Sequence, residues 1–147
     1  MNSFKSILVT GGAGYVGSVL IPELIDNGFH VKCLDRFFFG IEYLSNPKFQ
    51  NNLELIKDDI RFFDEKILDG VDVVLDLAAI SNDPAGELDP EKTFEINHQG
   101  RHRVAKLSKK MGVKRYILAS SASIYGQQEK IADENSTVNP LTAYSKA

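Results

Sequence analysis

The sequence predicts an α/β fold, a doubly wound parallel sheet of about five strands, and two observations carry that prediction. Apolar strand runs alternate with helix patterns along all 147 residues, without repeats, low-complexity tracts or a linker, as in a parallel sheet covered on both faces. In addition, the run Thr10-Gly11-Gly12-Ala13-Gly14-Tyr15-Val16-Gly17 joins an apolar strand, Ile7-Leu8-Val9, directly to an apolar helix.

The strands are expected near residues 5 to 10, 29 to 35, 53 to 57, 71 to 78 and 115 to 120, with Val71-Asp72-Val73-Val74-Leu75 the most continuously buried. Right-handed crossovers then give the spatial order 3-2-1-4-5. The first helix runs from about Tyr15 to a left-handed stop at Asn27-Gly28. It carries Pro22 in its interior, which removes a hydrogen bond to Ser18 and costs roughly 3 kcal/mol unless the helix bends, so a local kink is expected. A long helix near residues 90 to 111 starts with Asp89 as N-cap and Pro90 at its first position. Along one face it places Phe94, Asn97, Arg101, Val104 and Met111, with Gly100 as a close-packing site. Asn97 is therefore a polar residue on a mostly apolar stripe and needs a partner, either a loop carbonyl that it ties down or a proton or water relay. The chain closes with Asn139-Pro140-Leu141-Thr142-Ala143-Tyr144-Ser145-Lys146-Ala147, a turn followed by the first turn of a helix.

Composition narrows the function classes. With 43% hydrophobic residues and a net charge of -3, the chain reads as one globular domain, residues 1 to 147, with an ordinary core. The basic residues Arg103, Lys106, Lys109, Lys110, Lys114 and Arg115 form a local cluster in an acidic protein, which reads as a solvated helix face and not as a nucleic-acid surface. No stretch approaches a membrane span, and Met1-Asn2-Ser3-Phe4-Lys5 leads straight into a strand without the apolar core of a secretion signal, so a cytoplasmic protein without membrane contact is expected. Cys33 is the one cysteine, sits inside the second strand and reads as an inert core thiol. His98 and His102 lie one turn apart but lack a Cys, Asp or Glu in ligand spacing, and no metal site is expected.

The glycine run points to a dinucleotide. Gly11 permits a sharp strand-to-helix turn, Gly14 lets backbone approach a pyrophosphate, and Gly17 lets the helix pack closely, with Tyr15 and Val16 opening the helix at the end that attracts an anion. Asp35 ends the second strand eighteen positions after Gly17, near the spacing of about 20 expected for the carboxylate that accepts from the adenosine ribose hydroxyls. A carboxylate there repels a 2′-phosphate and favours NAD, whereas Arg36 beside it could pair with that phosphate, so NADP stays open. A second chemical cluster follows the fifth strand, where Ala119-Ser120-Ser121-Ala122-Ser123-Ile124-Tyr125-Gly126 brings hydroxyls to the edge at which open α/β sheets bind ligands.

Taken together these residues resemble the extended short-chain dehydrogenase/reductase superfamily, in particular its NAD-dependent sugar-nucleotide epimerase/dehydratase branch. The likeness rests on the TGGxGxxG opening, Asp35, Asp59-Ile60 after the third strand, Leu77-Ala78-Ala79 after the fourth, Asn97, the Ser-Ser-x-Ser-x-Tyr-Gly segment and Tyr144, all in family order. It implies a Rossmann-type fold in which Asp59 and Ile60 touch the adenine. Leu77, Ala78 and Ala79 would line the dinucleotide together with Asn97, and Ala119 and Ser120 would approach the nicotinamide ribose. It further implies Ser121 as the hydroxyl that hydrogen-bonds a substrate oxygen, Ser123 beside it, and Tyr144 as the acid/base acting on a nucleotide-sugar.

The chain also departs from the pattern. The family's lysine four residues after the tyrosine would fall one place past Ala147, and Lys146 stands too close to Tyr144 to replace it. The chain is therefore expected to be the amino-terminal part of an enzyme about twice as long, one that forms a homodimer when complete. The fragment is expected to bind cofactor weakly, to be inactive and to self-associate through an uncovered fifth strand. Ser121-Ala122-Ser123 stands where dehydratases carry Thr-Asp-Glu, which favours epimerisation or simple alcohol/ketone redox chemistry. Asp76 replaces a common histidine, and Asp58 a common glycine. A non-catalytic dinucleotide-binding module or sensor is the alternative reading, and a plain interaction domain the third.

Overall fold

In the computed structural model, which describes residues 4–147, five parallel strands form one sheet in the order β3-β2-β1-β4-β5, as the crossover rule predicts. Met1, Asn2 and Ser3, the start of the segment read as lacking a secretion signal, lie outside the described residues. The strands are β1 (Ser6–Thr10), β2 (His30–Asp35), β3 (Leu53–Lys57), β4 (Val73–Asp76) and β5 (Arg115–Leu118). Side chains alternate across the sheet, so Ile7 and Val9 of β1 join Ile21, Ile25, Val31 and Cys33 on one face, while Leu8 joins Leu34, Phe63, Val74, Val104 and Leu107 on the other. The first face is covered by helix α1 (Tyr15–Asp26) and the second by α4 (Arg101–Lys110).

The most buried strand is β1, not β4: Leu8, Val9 and Thr10 are fully buried, whereas Asp72 and Leu75 of the 71–75 run are only partly so. Position explains this, because β1 is central and pairs on both edges, Ser6–Thr10 with β2 and Ile7–Thr10 with β4. β4 is also shorter than expected. After Asp76 the chain leaves the ladder, and the N–H groups of Leu77 and Ala78 donate to the backbone oxygen and Oγ1 of Thr10, at 3.1 and 3.3 Å. Among the described residues β5 pairs only with β4, and Ile117 and Leu118 are 55% and 49% exposed.

Helix α1 continues through Pro22 as one helical segment to Asp26, is capped by Asn27, and is followed by Gly28, whose φ of 85° is the left-handed stop expected there. The long helix predicted near residues 90 to 111 is not uniform. It comprises α3 (Pro90–Thr93), a π-helical stretch Phe94–Gly100, and α4. The wider π turn spans the interval between two anchored points. Asn97 is fastened to the loop after β4, and Gly100 lies where an added Cβ would come within 2.9 Å of Ile60. One short helix, α2 (Asp83–Leu88), is not announced by the sequence pattern, since Pro84 and Gly86 hide it; Asn82 caps it by accepting from the Ala85 N–H at 2.9 Å. The last element is the single turn α5 (Ala143–Lys146).

The solvated reading of the basic face is refined by its pairs. Lys110 meets Glu65 at 2.7 Å, Lys114 meets Asp72 at 2.7 Å, and the Arg103 guanidinium lies over the Phe63 ring while donating to its carbonyl. Cys33 is fully buried, and desolvation pushes its thiol up to about 12, so thiolate chemistry is suppressed. Among the described residues, no helix is long and apolar enough to cross a membrane, and no three His, Cys, Asp or Glu side chains gather as metal ligands.

Candidate functional site

The carboxyl ends of β2 and β4 flank the glycine run that follows β1. Gly11 has φ 66° and donates to the Leu34 carbonyl at 2.8 Å; an added Cβ there would come within 2.7 Å of the Ala78 backbone. The turn after β1 thus lies directly against the loop after β4. Gly17 is equally constrained, for a Cβ would stand 2.2 Å from the Gly12 carbonyl oxygen. Its close contact is with the turn itself and not with a strand. Gly14 differs: an added Cβ would meet only the Gly11 oxygen, at 3.2 Å, and otherwise open space. Tyr15 and Val16 are exposed on the first turn of α1, which has no side-chain cap and no acidic residue. Its first N–H groups lack intrahelical acceptors and, with the helix dipole, form a cradle that fits a diphosphate. Gly12 was not singled out in the sequence, yet its Cβ would fall 2.6 Å from the Cys33 sulfur and 2.7 Å from Ile21.

Asp35 lies beside this cradle. Its carboxylate accepts from the N–H groups of Ala13, at 3.0 Å, and Phe37, at 2.7 Å, which fixes it between the glycine turn and the loop after β2. Arg36 points to Asp59, with Nη1 donating to Oδ2 at 2.6 Å. Asp59 also accepts from Arg61 through Nε at 3.0 Å and Nη2 at 2.7 Å, and these cations hold its carboxyl well below the usual carboxylate range. Ile60 turns into the core.

The β4 loop is held from below. Asn97 accepts from the Ile80 N–H at 2.8 Å and donates to the Ile80 carbonyl at 2.9 Å, so its amide ties down the loop that follows Leu77, Ala78 and Ala79. Asp76 is fully buried and receives hydrogen bonds of 2.5 Å from Thr10 and from the Tyr116 hydroxyl. Arg101 sends Nη2 to the carbonyls of Asp76 and Ala119, at 3.2 and 2.5 Å, bridging the ends of β4 and β5. Its buried Nε faces the Asp76 carboxylate at 3.8 Å without a hydrogen bond. Burial and the Asp76 carboxylate push the Tyr116 phenol far above its ordinary range. The sequence marks Asp76 only as a departure; the signal that it forms part of a set was a buried strand end carrying a carboxylate opposite Arg101 on the helix.

Ala119 and Ser120 are exposed at the end of β5, and Ser121 accepts from the Ser123 N–H at 3.2 Å as it caps the turn Ala122–Tyr125. Tyr144 is half-buried on α5, which packs against that turn and against α2. Asp83 of α2 accepts from Thr142 and, at 3.4 Å, from Ser123, while Glu87 accepts from the Ala143 N–H at 2.5 Å. An added Cβ on Gly86 would come within 2.9 Å of the Tyr144 Cβ. Asp83, Gly86 and Glu87 hold the serine and tyrosine segments together, a role the sequence does not reveal because α2 is itself hidden. Chemically, the surface offers an anion cradle and a carboxylate at one end, and two hydroxyl groups and a phenol at the other.

A family model, NAD dependent epimerase/dehydratase family, matches residues 7–147. The chain belongs to this family. Among curated epimerase/dehydratase relatives, it is 38% identical over 125 residues to UDP-glucuronic acid decarboxylase 1 of Arabidopsis thaliana, covering 82% of this chain and 27% of that protein. Among solved structures, it superposes with TM-score 0.90 at 31% identity on a UDP-N-acetylglucosamine 4-epimerase from Methanobrevibacter ruminantium in complex with UDP-N-acetylmuramic acid, over 98% of this chain and 47% of that one. A UDP-glucuronic acid 4-epimerase from Bacillus cereus in complex with UDP-glucuronic acid and NAD gives TM-score 0.85 at 28% identity, over 96% and 48%. The chain spans less than half the length of these relatives.

Proposed function

We propose that this chain is the NAD-binding half of a nucleotide-sugar epimerase or oxidoreductase that uses a tyrosine as acid/base. The observation that supports this best is the glycine cradle beside Asp35 at one end of the sheet edge, with the turn capped by Ser121 packed against the α5 turn that carries Tyr144 at the other. The first turn of α1 would hold the diphosphate, Asp35 the adenosine ribose, and the Ala78–Ala79 and Ala119–Ser120 backbones the nicotinamide end. Bound NAD supplies a hydride acceptor and donor at the sugar carbon. Ser121 orients the substrate oxygen, and Tyr144 removes and returns the hydroxyl proton. Asn97 acts on the cofactor only through the Ile80 loop that it fixes. The relatives' UDP-sugar ligands support a nucleotide-sugar substrate.

The test is Tyr144→Phe in the longer protein. Its kcat is expected to fall by about 10²- to 10⁴-fold, the range of general acid–base catalysis, with NAD affinity unchanged. Wild-type turnover in this variant contradicts the assignment. A cytoplasmic setting is consistent with the single buried thiol, and the exposed apolar edge at β5 is read as the place where further chain, or a second copy in isolation, completes the sheet.

A further inference from the structure

A cation beside the ribose carboxylate is what admits a 2′-phosphate to a dinucleotide site. Arg36 occupies that place in the chain, next to Asp35, but its guanidinium is already engaged. It donates to Asp59 at 2.6 Å and lies 4.9 Å from the centre of the Phe38 ring. The pairing crosses two strands, since Asp35 and Lys57 are register partners and Asp59 follows Lys57 by two residues. Asp59 is poorly placed to let go. Its side chain is only 12% exposed, and Arg61 grips both of its oxygens while passing a further bond to Glu95 at 2.8 Å. Lys92 closes the series on Glu95 at 2.6 Å.

We propose that Asp59, by holding Arg36, sets the cofactor preference for NAD over NADP, acting together with Asp35; this rests on the cofactor reading above. To meet a 2′-phosphate, Arg36 must leave a charge-assisted bond to a carboxylate that Arg61 holds in place, and the phosphate must also approach Asp35. The Arg36 side chain is 46% exposed, so the bridge by itself is modest, but its carboxylate partner is held in place by Arg61 and offers Arg36 a fixed acceptor. Asp59→Asn keeps the shape and an acceptor for Arg61 while removing the charge that holds Arg36.

The experiment is calorimetric titration of the folded chain with NAD and, separately, NADP, comparing the ratio of the two affinities so that any shared contact to the adenosine cancels. Asp59→Asn is expected to raise the NADP-to-NAD affinity ratio about tenfold. Adding Arg36→Ala in that background is expected to return the ratio to the wild-type value. Arg36→Ala alone, at an exposed position, is expected to leave the ratio within about twofold, and it decides the matter even if Asp59→Asn does not fold. An unchanged ratio in folded Asp59→Asn overturns the proposal. A tenfold fall in Arg36→Ala alone does so too, because Arg36 would then already be serving NADP. Failure of the folded wild type to bind either dinucleotide overturns the cofactor reading and this proposal with it.

Discussion

Asp76→Ala is expected to lower the unfolding free energy by about 3–5 kcal/mol, the magnitude for removing one partner of a buried ion pair. The carboxylate is 0% exposed, is the common acceptor for Thr10 and Tyr116, and faces the Arg101 guanidinium as an ion-pair partner. Without it, Arg101 stays partly buried among the ends of β4 and β5 with its Nε still lacking a partner, and two hydroxyls lose their acceptor. Urea denaturation of the variant should show the midpoint shift at an unchanged slope. Removing both charges in Asp76→Leu/Arg101→Met should recover much of the loss, since an apolar pair of similar volume carries no uncompensated charge. A loss under about 1 kcal/mol in Asp76→Ala would mean that the cluster is hydrated, not closed.

Gly11→Ala and Gly17→Ala are expected to abolish dinucleotide binding and also to destabilise the fold, whereas Gly14→Ala should abolish binding alone. At Gly11, alanine must adopt a φ of 66°, which costs about 1–2 kcal/mol, and its Cβ would stand 2.7 Å from the Ala78 backbone. At Gly17 the conflict is with the Gly12 carbonyl oxygen at 2.2 Å, backbone against backbone, so the turn itself must open at a cost of about 1–3 kcal/mol or more. At Gly14 the added methyl points into open space beyond one contact of 3.2 Å, and stability should stay within about 0.5 kcal/mol of wild type. Thermal unfolding followed beside NAD titration separates the two classes. Equal destabilisation by all three substitutions would indicate that the turn is purely structural.

The sheet order and the glycine turn were legible because both follow from local chemistry: short strand patterns alternating with helix patterns set the strands, and Gly11 at a positive φ is a requirement that the spacing already announces. The interior of the long helix was not legible. Its π turn answers to where Ile80 and Ile60 sit, which no periodicity along residues 90 to 111 contains. The same holds for α2, whose acids fasten Thr142 and Ala143 more than fifty residues away. Asp35 could be placed by counting, but the engagement of Arg36 by Asp59 depends on the β2–β3 register and becomes visible only in three dimensions. The uncovered β5 follows from the family pattern running on past Tyr144: the strand pairs with β4 alone among the described residues, and Ile117 and Leu118 are exposed.

The most direct test of the central claim is calorimetric titration of the folded 147-residue chain with NAD, alongside Gly14→Ala as a control of matched stability. The expected result is saturable binding to one site in the wild type, weakened by at least about tenfold in Gly14→Ala. No heat of binding at millimolar NAD in a folded sample, or binding undiminished in Gly14→Ala, would contradict the assignment of the glycine turn as the seat of the dinucleotide.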